Sequence, residues 1–436
     1  MKKRCHLTFT AIRRYALSIL LTGAVTAACG QSAMNARDLS IIRSVDPADT
    51  AYADLAGFRK AVGNARIVML GEQTHGEATT FEAKTRLIKF LYEKMGFEVL
   101  AFESGLYDCA RIWENTRNGG NLADEVTGSL FFMYATSKQM MPLFQYIQAK
   151  VKSPRPLTVA GFESQHSGRN AIRLLFPDFE TFLRKDHAAV LDSNWNLFKR
   201  IAVATFNSRA YRPEDAERAL FFQKLEELKK LLAAKTTPDD GHISSSPGFW
   251  YQVTTSIESQ ASRYWELVKG NELSVRDLQM AQNLIWLADK AFPGKKIIVW
   301  AHNIHIAKNT GALLAPLTGT PIPFFESLTP MGTTVKAHFG KDAYILGFSG
   351  AQGTYVDYND NKIKTVPAPA AGSIESSLSA TGHPYIFVDY KQAGKYFRDP
   401  QVASLFDFTY LKSGWPGILD GLFFINTSTP VERTTL

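Results

Sequence analysis

Residues 66–76 read RIVMLGEQTHG, and no other stretch limits the possible folds of this chain as tightly. Ile67, Val68, Met69 and Leu70 form an apolar run without alternation, stopped by Gly71 and followed at once by Glu72 and His75. A short unbroken run of this kind is what a strand buried on both faces of a parallel sheet requires. In open α/β sheets the ligand crevice lies beyond the carboxyl ends of such strands. A carboxylate and an imidazole placed there are candidates for acid–base chemistry.

The rest of the chain repeats the pattern. Residues 79–95 place Phe81, Leu87, Ile88, Leu91 and Tyr92 on one helical stripe, with Gly96 as C-cap. Residues 98–102 read as a second buried strand running into Glu103. A third covers 157–162 and ends at Glu163, and a fourth covers 296–301 and ends at His302 and Asn303. Residues 343–348 and 384–388 are further strands. The β-α-β order predicts an α/β fold with a mostly parallel or mixed central sheet flanked by helices. Between the third and fourth strands, about 169–295, the periodicity is helical. Amphipathic stretches at 216–234 and 249–269 are joined there by a Pro/Gly/Ser loop at 237–247. This predicts a large helical insertion over the strand C-terminal ends, where lids sit, or else a separate helical domain.

Residues 1–28 have a basic start, an apolar core and small residues before Cys29, the layout of a secretory signal peptide too short for a membrane span. Thr26-Ala27-Ala28 before Cys29 also resembles a bacterial lipoprotein cleavage box, although Thr26 stands where an aliphatic residue is usual. Export is expected, to the periplasm or to a membrane through lipidated Cys29. The alternative is plain cleavage with Cys29 discarded or left free. Residues 29–50, polar and rich in small side chains, read as a flexible tether. Of the formal charge of +8, residues 1–28 carry five basic groups and no acid, which leaves +3 for the remainder. No later Lys/Arg block appears, so no nucleic-acid partner is expected. Cys5, Cys29 and Cys109 are too few for a disulfide framework, and Cys109 reads as a small core residue.

Four expected strands therefore end in titratable residues: Glu72 with His75, Glu103, Glu163, and His302 with His305. Parallel strand ends lie side by side, so these groups should share one edge. A neutral histidine beside a carboxylate can deprotonate water, and a second cationic group can stabilise the oxyanion formed on an ester carbonyl. The set fits hydrolysis by activated water with no cofactor. It is also a plausible zinc set, since His302-x-x-His305 is a spacing ligands use, but it is not the helical HExxH pattern. Gly347-Phe348-Ser349-Gly350-Ala351 nearly spells a nucleophile elbow, yet no helix pattern follows, and it reads as a strand ending in a glycine turn. Arg86 reads as part of a solvated helix face or a salt bridge, and Arg276 with Asp277 as a fastening of the insertion to the sheet.

These residues resemble the erythromycin esterase family. The resemblance is carried by Leu70-Gly71-Glu72-Gln73-Thr74-His75-Gly76, by Lys84 and Arg86 on the following helix, and by Ala101-Phe102-Glu103. It continues through Gly161-Phe162-Glu163-Ser164-Gln165, Arg276-Asp277, Val299-Trp300-Ala301-His302-Asn303-Ile304-His305 and Met331-Gly332. It implies one α/β catalytic domain over 51–436, and hydrolysis of a carboxylic ester or macrolide lactone without an obligatory metal. The general base then falls on His75, the site carboxylates on Glu72 and Glu103, and the later histidines on His302 and His305. Lys84, Glu163 and Asn303 are expected to bind substrate. Lys84 stands where resistance esterases of the family can have arginine, and Glu163 where many relatives have aspartate. A non-catalytic envelope or ligand-binding protein on the same scaffold is the competing expectation.

Overall fold

The computed structural model describes residues 34–233 and 242–434. The signal-like segment, Cys29 and part of the 237–247 loop lie outside the described residues. The strands are β1 (Ser40–Ile42), β2 (Ile67–Leu70), β3 (Phe97–Gly105), β4 (Thr158–Glu163), β5 (Lys296–Trp300), β6 (Ala343–Asp357), β7 (Lys362–Thr365), β8 (Tyr385–Asp389), β9 (Gln401–Phe406), β10 (Thr409–Ser413) and β11 (Gly421–Ser428). The main sheet runs β1-β8-β11-β6-β2-β5-β3-β4, with β7 on the far part of β6, while β9 and β10 form a separate pair. From β11 to β4 all neighbours are parallel. At the other edge β8 is antiparallel to β11, and β1 to β8.

The unbroken apolar run of β2 has a simple cause. Alternate side chains of a strand enter opposite layers, and here both layers are dry. Ile67, Met69, Val99, Ala101, Ile297 and Val299 pack on one side, and Val68, Leu70, Leu100, Phe102, Ile298 and Trp300 on the other. The longer helices, numbered in chain order, are α1 (Ala56–Val62), α2 (Ala78–Met95), α3 (Leu106–Arg117), α4 (Arg169–Asp186), α5 (Trp195–Asn207), α6 (Asp215–Leu232), α7 (Pro247–Tyr264), α8 (Glu272–Trp286) and α9 (Met331–Phe339). The insertion is α4–α8. Its Phe176, Phe249, Trp250 and Met280 share one apolar cluster with the first set of strand residues. It is therefore one outer layer of the sheet and not a separate domain, and α7 and α8 bring Arg263 and Arg276 to the strand ends.

After β2 the chain returns through α2 on one face, and after β5 through α9 on the other: Phe81 and Leu87 lie in one layer, Met331 and Val335 in the opposite one. Because β2 and β5 are neighbours, their carboxyl ends open a crevice at a switch in strand order. Two glycines let the loops there close up. A Cβ on Gly71 would lie 1.9 Å from Asn303 Oδ1, and one on Gly76 would lie 1.7 Å from the Val356 carbonyl.

Two expectations are corrected, and one is settled between its alternatives. Within the proposed tether, Ile41 pairs with Ile386, so 40–42 is the edge strand of the main sheet. The strand through Ser349 does not end in a turn. It continues to Asp357, and the buried Ser349 hydroxyl donates to Glu375 Oε1 at 2.6 Å. Of the two readings given for Arg86 the salt bridge holds: the residue is buried and not on a solvated face. Its guanidinium forks onto Asp54 at 2.8 and 3.0 Å and donates to the carbonyls of Ser44, Asp49 and Ala51, which fixes residues 44–51 against α2. Cys109 is a buried free thiol, as expected of a core residue.

Removing one partner of a buried ion pair leaves the other charge uncompensated. Arg86→Met is expected to cost about 3–5 kcal/mol, measured by urea unfolding, and the paired change Arg86→Met with Asp54→Leu should recover a large part of that loss.

Candidate active site

The site is built from the carboxyl ends of β2, β5, β3 and β4, and its centre is Glu72. The Glu72 side chain is fully buried, and its two oxygens are occupied from four directions. Oε1 takes the Tyr134 hydroxyl at 2.7 Å and meets His75 Nδ1 at 2.5 Å. Oε2 takes Lys84 Nζ at 2.9 Å and the Trp300 indole N–H at 2.8 Å. Burial alone would raise the Glu72 pKa. The Lys84 ammonium and the His75 and Tyr134 hydrogen bonds reverse this and hold it at about 2. Lys84, equally buried, is pushed down to about 8 by desolvation against the pull of Glu72, with its ammonium 4.1 Å from the Trp300 ring centroid. His75 uses Nδ1 on Glu72, which leaves Nε2 as the nitrogen that can accept a proton. Its ring is walled by Phe131 and Tyr358, both with centroids 4.9 Å away, and 8% of the residue remains exposed.

A second cluster lies beside the first. Glu103 Oε2 accepts the His302 backbone N–H at 2.8 Å, and Oε1 faces Arg276 and His305 Nε2, each at 3.2 Å. His305 Nδ1 rests on Asp277 at 2.8 Å, and Asp277 also accepts the Met331 N–H that opens α9. Burial disfavours the His305 charge, but Asp277 and Glu103 outweigh it and raise the ring to about 10. Glu103 is held well below the usual carboxylate range, against its burial, chiefly by His305. Arg276 of α8 bridges Glu103 and Glu163, and Glu163 spends its other oxygen on the Ser164 and Gln165 backbone N–H groups.

Between the clusters stands His302, its ring centroid 5.1 Å from His75 and 6.5 Å from His305. Its Nδ1 accepts the Ile304 N–H at 3.1 Å, so the neutral ring carries its proton on Nε2, 2.8 Å from the Gln73 carbonyl. Burial lowers its pKa, but Asp407, 3.6 Å away, produces a net rise.

The structure thus brings Glu72, His75, Glu103, Glu163, His302 and His305 to one edge. Three residues expected to bind substrate have their polar atoms engaged within the protein. Asn303 is fully buried and donates to the Phe348 and Leu405 carbonyls at 2.7 Å while accepting the Phe348 N–H, so it ties β5 to β6 and β9. Lys84 is sealed beneath Glu72, and Glu163 is spent on Arg276 and its own turn. Sequence reading missed Tyr134, Trp300, Gln73, Asp407, Phe131 and Tyr358. Only Trp300 carried a usable signal: it directly precedes the expected strand end, two residues before His302. Among the described residues no group of three or more His, Cys, Asp or Glu is arranged to hold a metal ion. The nitrogens of His302 and His305 and the Nδ1 of His75 are turned instead to backbone, carboxylate or guanidinium partners.

These shifts set opposed pH dependences. Glu72, Glu103 and Glu163 are depressed, so their stabilisation is present above the unfolded value of about 4.3 and is lost as pH falls through the folded values. His305 is raised, so its contribution is complete below about pH 6.5 and lost as pH rises through about 10. Glu77, buried beside the Glu72 loop, goes the other way from the depressed carboxylates, with burial raising it to about 7. Between about pH 4 and 7 the folded state keeps a proton there that the unfolded chain releases, and stability falls as pH rises. Glu77→Gln is expected to flatten that fall by up to ~1.4 kcal/mol per pH unit, read from urea unfolding at pH 5, 6, 7 and 8.

Comparison with known proteins bears on the family and the fold. A model of the family described as erythromycin esterase matches residues 92–417. Erythromycin esterase type II of Escherichia coli is 24% identical over 424 residues, covering 91% of this chain and 97% of that protein. YbfO of Bacillus subtilis (strain 168), named as a hydrolase, is 26% identical over 417 residues, covering 89% and 90%. Among solved structures, a mutant of the erythromycin esterase EreC in its open conformation superposes with a TM-score of 0.66 at 17% identity, covering 90% of this chain and 97% of that one. A structure described as a succinoglycan biosynthesis protein gives 0.72 at 18%, covering 91% and 96%. The structural likenesses show the shared fold, and the family model runs from α2 to the turn before β11. The chain belongs to the erythromycin esterase family.

Proposed function

We propose that this protein hydrolyses a carboxylic ester or lactone with water activated by His75. The observation that carries the reading is the 2.5 Å contact between His75 Nδ1 and a Glu72 carboxylate fixed by three other donors. Glu72 sets the tautomer, so Nε2 takes the proton from water as the oxygen attacks the carbonyl carbon. The imidazolium formed is stabilised by Glu72 and returns its proton to the departing alkoxide, giving acid and alcohol. His302 lies nearest to His75, and Arg276, which keeps 20% side-chain exposure, is the cation placed to meet the oxyanion. Lys84 and His305 act behind them, the first on Glu72 and the second on Glu103.

The relatives named as erythromycin esterases support a macrolide lactone as one substrate to test, with the Phe131 and Tyr358 rings as apolar walls beside the base. Export, to the periplasm or to a membrane through lipidated Cys29, is part of the same proposal and would place the enzyme in a drug's path ahead of the ribosome.

The test is turnover on a panel of aryl esters, simple lactones and a macrolide. His75→Ala and Glu72→Gln are each expected to lower kcat by about 10²–10⁴-fold, with chelator leaving the wild type unaffected. Unchanged turnover in His75→Ala would refute the assignment. Activity lost to chelator and restored by zinc would replace it with a metal-dependent hydrolase. No turnover on any ester would favour a ligand-binding role.

A further inference from the structure

After β11 the chain runs as a strap past three pieces of structure that surround His75. The first is the loop that carries the base itself. The Ala78 N–H donates to the Thr429 carbonyl at 2.8 Å, and the Val431 N–H to the Gly76 carbonyl at 3.1 Å. The second is the short helix Phe132–Ala135, which follows Phe131 and carries Tyr134. Just past it, the Lys138 N–H donates to the Glu432 carbonyl at 2.8 Å, and the Thr434 N–H to the Thr136 carbonyl at 2.7 Å. The third is the turn between β6 and β7, which starts at Tyr358 and ends at Asn361. There Arg433 Nη1 donates to Asn361 Oδ1 at 2.8 Å.

Arg433 joins the second piece to the third. The same Nη1 lies 3.2 Å from Met133 Sδ, and the guanidinium carbon stands 5.1 Å from the centroid of the Phe132 ring, whose face attracts a cation. The Phe132 ring is in turn 4.9 Å from that of Phe131. At the other end the turn is stiff. Asn361 is left-handed at φ 61°, its N–H donates to the Asp357 carbonyl at 2.7 Å, and Asp357 Oδ1 accepts the Asn359 N–H at 2.8 Å. A hold on Asn361 is therefore passed on to Tyr358.

The two ends of this bridge are the two walls of the base. The His75 ring centroid is 4.9 Å from Phe131 and 4.9 Å from Tyr358, and both wall residues are partly exposed. The bridge runs from Phe131 through Phe132 and Met133 to Arg433, and through Asn361 to Tyr358. It plays no part in the charge balance at Glu72, whose four partners come from elsewhere.

We infer that Arg433 sets the preference of this site for large apolar esters, by holding the Phe131 and Tyr358 rings at a fixed separation across His75. The inference rests on the ester-hydrolysis reading and assigns that site its determinant of substrate size. Arg433 is a positioning residue, acting through the two rings. A substrate large enough to touch both walls binds surfaces that are already ordered, and so avoids the cost of ordering them. A small ester beside His75 Nε2 gains nothing from the bridge.

The experiment compares wild type, Arg433→Ala, Asn361→Ala and the double variant on a small and a bulky aryl ester, phenyl acetate and naphthyl benzoate. Thermal unfolding confirms that each form is folded. Arg433→Ala should raise KM for naphthyl benzoate by about tenfold, with little change in kcat on it or in KM for phenyl acetate. Asn361→Ala cuts the same bridge at its other end and should act alike, and the double variant should add little to either. Equal rises in KM for both esters, an unchanged KM for naphthyl benzoate, or additive effects of the two substitutions would overturn the inference. A fall in kcat on both esters would make the strap a support of His75 and overturn the role in selection. If the wild type hydrolyses neither ester, the hydrolysis reading falls on its own. The bridge is then decided by equilibrium dialysis of naphthyl benzoate, where tenfold weaker binding by Arg433→Ala supports it and equal binding overturns it.

Discussion

A carboxylate with no access to water sits at the centre of this molecule. Burying an ion costs many kcal/mol unless partners replace its hydration, and Glu72 has its partners only in the finished fold. Lys84 comes from the middle of α2, Trp300 from the last residue of β5, and Tyr134 from a short helix after α3. His75 comes from the loop that Glu72 itself begins. The pairing of Leu70 with Trp300 sets the indole at the height of the carboxylate. Correct strand register, helix packing and the orientation of the base are therefore one requirement. A shift of β5 by one residue would turn Trp300 to the other face and leave an unpaired charge in the core.

The second cluster extends this logic to the insertion. The sheet contributes Glu103 and Glu163, and the insertion contributes Arg276 with Arg263 close by, whose guanidinium is buried against Ser164. Neither side is tolerable alone. Carboxylates at buried strand ends need cations, and arginines on the inner faces of α7 and α8 need carboxylates. The insertion is fastened by apolar packing over most of its area and by charge at the one place where it meets the crevice. That is why a layer of the core also bounds the candidate site.

Sequence carried the centre of this picture better than its edges. Unbroken apolar runs identified β2, β3, β4 and β5, because a strand dry on both faces leaves no other trace. The titratable residues ending them then had to converge, since parallel neighbours end together. β1 was missed because three residues give no periodicity, and β9 and β10 because QVASLF and TYLKS show neither an unbroken apolar run nor clean alternation. Tyr134, and Trp300 apart from its place at the strand end, were hidden for another reason. An aromatic residue in an apolar stretch reads as core, and nothing in the sequence says that its polar atom is the one a carboxylate needs. Asn303, Lys84 and Glu163 fail in the reverse sense. Each is a polar or charged residue on an element that carries the site, but its polar atoms are spent on backbone or on a buried partner, which only three dimensions reveal.

Burial also limits how far the charges of the site can act. At the carboxyl ends, cations and carboxylates are buried within 3–4 Å of one another, so their fields largely cancel beyond the cluster. Such a site cannot draw a charged substrate from solution. Selection there falls to the shape of the opening, to the Phe131 and Tyr358 walls, and to the carbonyl that must lie between His75 and the nearby cations. The carboxyl-end site is thus suited to a neutral molecule recognised by fit, and its buried charges serve the fold and the base rather than attraction from solution.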